Sequence, residues 1–226
     1  MAAAKPIFTS EIFRFFQDLK KHNRKEWMDR NRGRYQETVC KPFRRLLEEL
    51  SPALLKLDAN FDVAARGGRN FSRINRDIRF AKDKTPYRAQ MYLKCGVPPP
   101  GEMEGGEMYL GISAEAVTCG FRIYAMPKRK QSPIALLAEP KLAANPLLLV
   151  QQRKRLAKKY DSYWYSTVKG QWTKNAGWPT IADWPKLHAW IVRKKLAKSA
   201  ATRASLSADA ARIFRDLYPL LKFTSL

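Results

Sequence analysis

Met108-Tyr109-Leu110-Gly111-Ile112-Ser113 and Val117-Thr118-Cys119-Gly120-Phe121-Arg122-Ile123-Tyr124, joined through Ala114-Glu115, decide the architecture. Two strand-length runs this close together can only turn back on each other, so they read as an antiparallel hairpin. Upstream, Met91-Tyr92-Leu93-Lys94-Cys95 alternates apolar and polar residues as a half-buried strand does. Between them lies a Pro/Gly-rich loop, Pro98 to Gly106. Further back, Phe61-Asp62-Val63-Ala64 alternates weakly and Gly67-Gly68 marks a turn.

On either side of these strands the period changes to that of helices. Ile12, Phe15, Phe16 and Leu19 form an amphipathic stripe behind Thr9-Ser10. Asn23 and Glu26 have capping-box spacing, which predicts a helix from about Arg24 to about Leu50 bearing Trp27, Tyr35, Val39 and Phe43 on one face. Pro42 is expected to kink or divide it, and Ser51-Pro52 to open one further helical turn. Downstream, Ser132-Pro133 and Asn145-Pro146 read as helix starts, the second leading into a basic block that ends near Lys159. The stretch Tyr160 to Trp184, with Trp164, Trp172, Trp178 and Trp184, has no clear period. A helix is expected from Pro185 to about Lys195, and a last one capped by Ser207 with Ile213, Phe214, Leu217 and Leu220-Leu221 inside. Helices, then strands, then helices give an α+β domain with a central, mostly antiparallel sheet. With no repeat and no long linker, one domain is expected over residues 1–226: a helical part to about 57, a sheet-forming part at about 58–126, and a mainly helical part beyond.

Composition supports a folded chain. The 226 residues are 45% hydrophobic and 12% aromatic, too rich in core formers for disorder. No apolar run approaches the roughly 18 residues of a membrane span, and no secretion signal is visible, so the expectation is a soluble cytoplasmic protein. Cys40, Cys95 and Cys119 are too scattered for a disulfide framework or zinc ligands and read as inert thiols. His22 and His188 stand apart from each other and from the cysteines, so no metal site is expected; His22 suits the end of the first helix. Neither Gly67-Gly68 nor Gly105-Gly106 belongs to a phosphate-binding glycine motif, and no cofactor is assigned.

Charge is the strongest anomaly. Lys and Arg number 43 against 20 Asp and Glu, a formal +23. Nine bases (Arg66, Arg69, Arg73, Arg76, Arg79, Lys82, Lys84, Arg88 and Lys94) meet only Asp77 and Asp83 in the same span. A second block, Arg153-Lys154-Arg155 with Lys158-Lys159, is free of acids. A phosphate-bearing small molecule or a nucleic acid would answer such a field; so would plain solvation of a basic surface.

The densest stretch is Phe71 to Tyr87. Several guanidinium groups around one acid can clamp phosphate or carboxylate through paired hydrogen bonds. Arg73, Arg76 and Arg79 are the candidate clamp, Asp77 would aim one of them, and Lys84 and Tyr87 would complete the site. In a strand, Arg73, Asn75, Asp77 and Arg79 share a face, whereas in a helix Arg69, Arg73 and Arg76 line up. The competing reading is structural: Asp77 and Asp83 tie a long loop by ion pairs. Asp77 or Glu26 could act as a general base on a phosphorylated substrate, although neighbouring arginines should lower a carboxylate's pKa rather than raise it. No catalytic residue is assigned. The tryptophans between Trp164 and Trp184 could stack bases beside Lys169 and Lys174, or simply cover the sheet edge.

The run Arg73 to Tyr87 resembles the signature of a bacterial family known as domain of unknown function 2461, R-x-x-R-D-x-R-F followed by [DN]-K-x-x-Y. The matching residues are Arg73, Arg76, Asp77, Arg79, Phe80, Asp83, Lys84 and Tyr87. Upstream, Asn23-Arg24-Lys25-Glu26-Trp27 and the Asn31–Tyr35 spacing, with Pro42 beyond, are similar to a second family pattern. The resemblance implies that nearly the whole chain is one such domain; it assigns no activity. In one place the chain departs from it: Cys119-Gly120-Phe121-Arg122 stands where a glycine-rich strand end is expected.

Overall fold

The computed structural model describes residues 5–97, 105–124, 140–141, 143–145, 147–168 and 171–224. Among them six strands form one sheet in the order β1-β2-β3-β6-β4-β5, every neighbouring pair antiparallel. They are β1 (Gln90–Cys95), β2 (Glu107–Ser113), β3 (Val117–Tyr124), β4 (Asp161–Val168), β5 (Gln171–Ala176) and β6 (Ala189–Leu196). N-terminal helices precede the sheet and further helices follow it, an α+β arrangement.

Alternation fixes which face each strand buries. Met91, Leu93 and Cys95 of β1, Met108, Leu110 and Ile112 of β2, and Val117, Cys119, Phe121 and Ile123 of β3 point to one side. There they join the helical stripes in a single cluster. Helix α1 (Glu11–Lys21) contributes Ile12, Phe15, Phe16 and Leu19, at the spacing that puts them on one face. The opposite side of the sheet carries a separate small cluster, Tyr109, Ala189 and Ile191, flanked by Tyr92, Tyr163 and Tyr165, with no helical residue in it among the described residues.

The long N-terminal helix expected from Arg24 to Leu50 is divided. Helix α2 (Lys25–Arg30) stops at Asn31, whose side-chain amide bonds the Trp27 carbonyl at 2.9 Å. Helix α3 (Arg32–Tyr35) widens into a π turn (Gln36–Cys40) that runs directly into α4 (Lys41–Leu57). The wide turn immediately precedes Pro42, which has no N–H to give and crowds the carbonyl four residues back. Pro52 does not open a separate turn; α4 passes through it on its exposed side, and the Ser51 hydroxyl bonds the Leu47 carbonyl.

The C-terminal half departs most from expectation. Helix α5 (Leu148–Leu156) carries the Arg153–Arg155 block as anticipated. The helix expected from Pro185 to Lys195 is instead a 3₁₀ turn (Ile181–Lys186) followed by strand β6, inserted between β3 and β4. Ala189 to Val192 is buried on both faces, so the run shows no period of two. After the short α6 (Lys198–Ala201), the last helix, α7 (Leu206–Phe223), starts before Ser207; Ser205 holds the cap position without a side-chain cap bond. Ala210, Ile213, Phe214, Leu217, Leu220 and Leu221 of α7 are buried, and the helix packs on α4, β2 and β3. Each large apolar side chain so buried contributes about 1.5–3 kcal/mol. Trp164 and Trp184 are core residues, whereas Trp172 is 43% exposed. The Ser132-Pro133 helix start and most of the Pro98–Gly106 loop lie outside the described residues. No helix among the described residues is long and apolar enough to cross a membrane.

Candidate anion-binding cleft

Strand β1 is an edge of the sheet, and the signature stretch lies along it. Lys94 N–H bonds the Asn70 carbonyl at 2.7 Å, and Ser72 N–H the Tyr92 carbonyl at 2.9 Å; the Ser72 hydroxyl accepts from Tyr92 N–H. Further on, Arg88 N–H reaches Ile74 O and Arg76 N–H reaches Pro86 O, both at 2.8 Å. Residues 70–76 are therefore extended, and Ile74 is buried while Arg73, Asn75 and Asp77 turn the other way. The turn before them needs Gly68, whose φ is 82°; the Arg73 guanidinium lies so close that a Cβ there would sit 3.1 Å from Arg73 Nε.

These residues form one wall of a cleft of about 400 Å³. Gln90, Tyr92 and Lys94, on the solvent-side alternation of β1, form its floor, and Arg88 and Arg122 its remaining cationic lining. Arg122 is already neutralised: Glu107 Oε1 lies 2.7 Å from its Nε, and its guanidinium sits 4.9 Å from the Tyr92 ring centroid and 5.1 Å from that of Tyr109. The other three cations are different. Arg88 donates to the Arg73 carbonyl and Lys94 to the Gly68 carbonyl at 3.2 Å, and no ion pair among the described residues includes Arg73, Arg88 or Lys94. Burial lowers the Lys94 pKa; Arg122 and Arg88 push it the same way, against Glu107.

The six residues singled out in the sequence separate into two groups. Arg73 and Asp77 line the cleft. Arg76 turns into the loop, where its Nη1 meets the Asp83 carboxylate and the Thr85 hydroxyl and carbonyl. Arg79 is held by Asp77 through Nε at 3.0 Å and Nη2 at 2.7 Å, and it stands largely in solvent beside Phe80, which is 94% exposed. Lys84 Nζ bonds the carbonyls of Ile78 and Arg79. Tyr87 is a buried residue. Arg73, Arg76 and Arg79 thus do not meet at one point; ion pairing accounts for two of them. Arg88, Lys94 and Arg122 were not singled out. The alternation of β1 puts Lys94 opposite its buried neighbours, a legible signal, whereas Arg122 arrives through strand pairing.

The loop has its own acid switch. Asp83 accepts from Thr85 N–H and from Arg76, and these bonds hold its pKa down to about 2 from an ordinary 3.8. A depressed folded pKa stabilises above the unfolded value and loses that stabilisation as pH falls through the folded one. The Thr85 amide resonance should therefore stay put down to about pH 3 and shift with a midpoint near pH 2. A shift centred near 3.8 would show that the bonds do not hold in solution.

Asn23 does not cap a helix. Its amide nitrogen donates to Tyr87 O at 2.8 Å and its oxygen accepts from Tyr87 N–H at 2.9 Å. Tyr35, from the same upstream pattern, reaches Met91 Sδ of β1 at 3.9 Å. The two motif segments therefore meet in space. A family model described as conserved hypothetical protein (DUF2461) matches residues 11–223. The chain belongs to the DUF2461 family. A search of curated proteins finds no match. In this DUF2461 chain the match extends from α1 to the end of α7, so it takes in both motif segments and every strand. Among the described residues no group of three or more His, Cys, Asp or Glu is placed to hold a metal ion.

Proposed function

We propose that the protein binds a phosphate-bearing or other anionic ligand in the cleft, through Arg73, Arg88 and Lys94. One observation carries this reading: three cations face one cleft without a carboxylate partner among the described residues, Arg88 and Lys94 bonding only backbone carbonyls, while the neighbouring guanidinium groups of Arg76, Arg79 and Arg122 all have carboxylate partners. A bound oxyanion would supply what Glu107 supplies to Arg122, with charge-assisted hydrogen bonds. Asn75, Gln90 and Ser72 offer further donors around it. Asp77, fixed on Arg79, would exclude a second anion and favour a ligand with a hydroxyl to donate. Arg76, Lys84 and Tyr87 would hold the wall rather than touch the guest.

Isothermal titration with inorganic phosphate and with sulfate tests the proposal. Arg88→Ala and Arg73→Ala should each weaken binding about tenfold, the size of one lost charge-assisted bond. Both side chains are exposed, so the thermal midpoint without ligand should not move. Because Lys94 must be charged to contribute, sulfate affinity should fall in alkaline buffer before the ordinary lysine range, with proton uptake on binding there. Sulfate and phosphate affinities that are the same in both variants as in the parent chain would overturn the reading.

A further inference from the structure

The side of the sheet that carries the Tyr109–Ala189–Ile191 cluster continues from the cleft. Strand pairing sets Lys94 opposite Tyr109, Tyr109 opposite Gly120 and Gly120 opposite Arg193, a row crossing four strands. On the same face Arg193 lies two residues from Ile191, which faces Tyr163, and Tyr165 faces Lys174 of β5. Cations and rings interleave: Lys174 Nζ is 4.3 Å and the Arg193 guanidinium 5.0 Å from the Tyr163 ring centroid. Beyond them the Tyr165 and Trp172 rings meet edge to face at 5.7 Å, with Trp172 43% exposed at the far edge. Arg193 Nε is buried without a hydrogen-bond partner among the described residues.

We infer that this face binds single-stranded nucleic acid, with phosphates on the row of cations that starts in the cleft and bases stacked on Trp172 and the neighbouring tyrosine rings. The inference rests on the cleft being a phosphate site, which would be one end of the track. Charge complementarity points to a polyanion, since the chain carries a formal +23. The rings select its kind. A polymer that alternates charge with flat aromatic faces matches a surface that does the same, and a duplex hides those faces in its own stack. Six strands about 4.8 Å apart span about 24 Å, room for several nucleotides. Ala189 and Ile191 at the middle are buried against the flanking tyrosines, so the partly exposed rings and cations form the contact surface.

Fluorescence anisotropy on the full chain tests it, using a labelled oligothymidylate, an abasic oligomer of equal length and a duplex. The oligothymidylate should bind about tenfold tighter than the abasic strand, the worth of about one stacked base. Trp172→Ala should remove that advantage and leave the abasic affinity unchanged. With Lys94, Arg193 and Lys174 engaged, the logarithm of affinity should fall with that of salt with a slope of about −2. Equal binding of the abasic or duplex probe, or a Trp172→Ala variant that binds oligothymidylate like the parent, overturns the inference. If inorganic phosphate still binds and is still lost in Arg88→Ala, only the track fails; if phosphate binding is absent too, the cleft reading falls with it.

Discussion

Gly120→Ala should unfold the sheet at its centre, lowering stability by about 3 kcal/mol, the upper end of the usual cost of overpacking. Gly120 pairs with Arg193 across β3 and β6, the join between the hairpin and the C-terminal strands. A Cβ at position 120 would strike the Val192 carbonyl and stand 2.6 Å from Arg193 Cα. Both are main-chain atoms of a buried strand, so no side chain can swing aside; the strands themselves must separate. For a chain of this size the thermal midpoint should drop by roughly 6–12 °C. Alanine at Gly33, where nothing lies within 4 Å of the new carbon, is the matched control and should leave the midpoint unchanged or raise it. A Gly120→Ala midpoint within a degree or two of the parent would mean that the two strands are not packed as described.

The second large effect is expected from Asn23→Ala. Residues 75 and 87 form a bridge whose hydrogen bonds run through their neighbours, Arg76 to Pro86 and Arg88 to Ile74. The N–H and C=O of Tyr87 therefore point away from that bridge, and Asn23 takes both. Truncation leaves a donor and an acceptor unpaired beside a buried ring, at a cost of about 2–4 kcal/mol. Asn23→Asp should recover only part of this, because a carboxylate accepts from the N–H but repels the carbonyl. Amide exchange at Tyr87 separates the cause from general loosening: it should accelerate more than exchange at Leu93 in the same variant. Equal acceleration at both positions would place the loss elsewhere.

The part of the fold legible in the sequence is the part with one dry and one wet face. Met91, Leu93 and Cys95 alternate with Gln90, Tyr92 and Lys94 because only one side of β1 meets the helices, and the β2–β3 hairpin declares itself by its spacing. Strand β6 was hidden for the opposite reason. Ala189 and Ile191 are as dry as Trp190 and Val192, and the run follows Pro185, so it imitates the opening of a helix. The capping-box spacing of Asn23 and Glu26 misled because the asparagine's best partner is sixty-four residues away in Tyr87, which local spacing does not reveal. The extended alternative did put Arg73, Asn75 and Asp77 on one face, as in the cleft wall. What the sequence could not separate was which bases had acids of their own. Asp83 and Asp77 each take one arginine, and the bases left over in the cleft come from three places: Arg73 from the extended wall, Arg88 from just before β1, and Lys94 from β1 itself.

Residues 70–76 also do something for the solvated chain that has nothing to do with a guest. Along β1 they fill main-chain groups that an outermost strand would otherwise offer to any passing molecule. The arginine-rich stretch is thus a gatekeeper against edge-to-edge polymerisation, and its freedom to move is bounded: whatever peels it back from β1 uncovers a template for fibre growth. Any variant chosen to loosen the cleft carries that hazard of insolubility, which sets a floor on how flexible this wall can become.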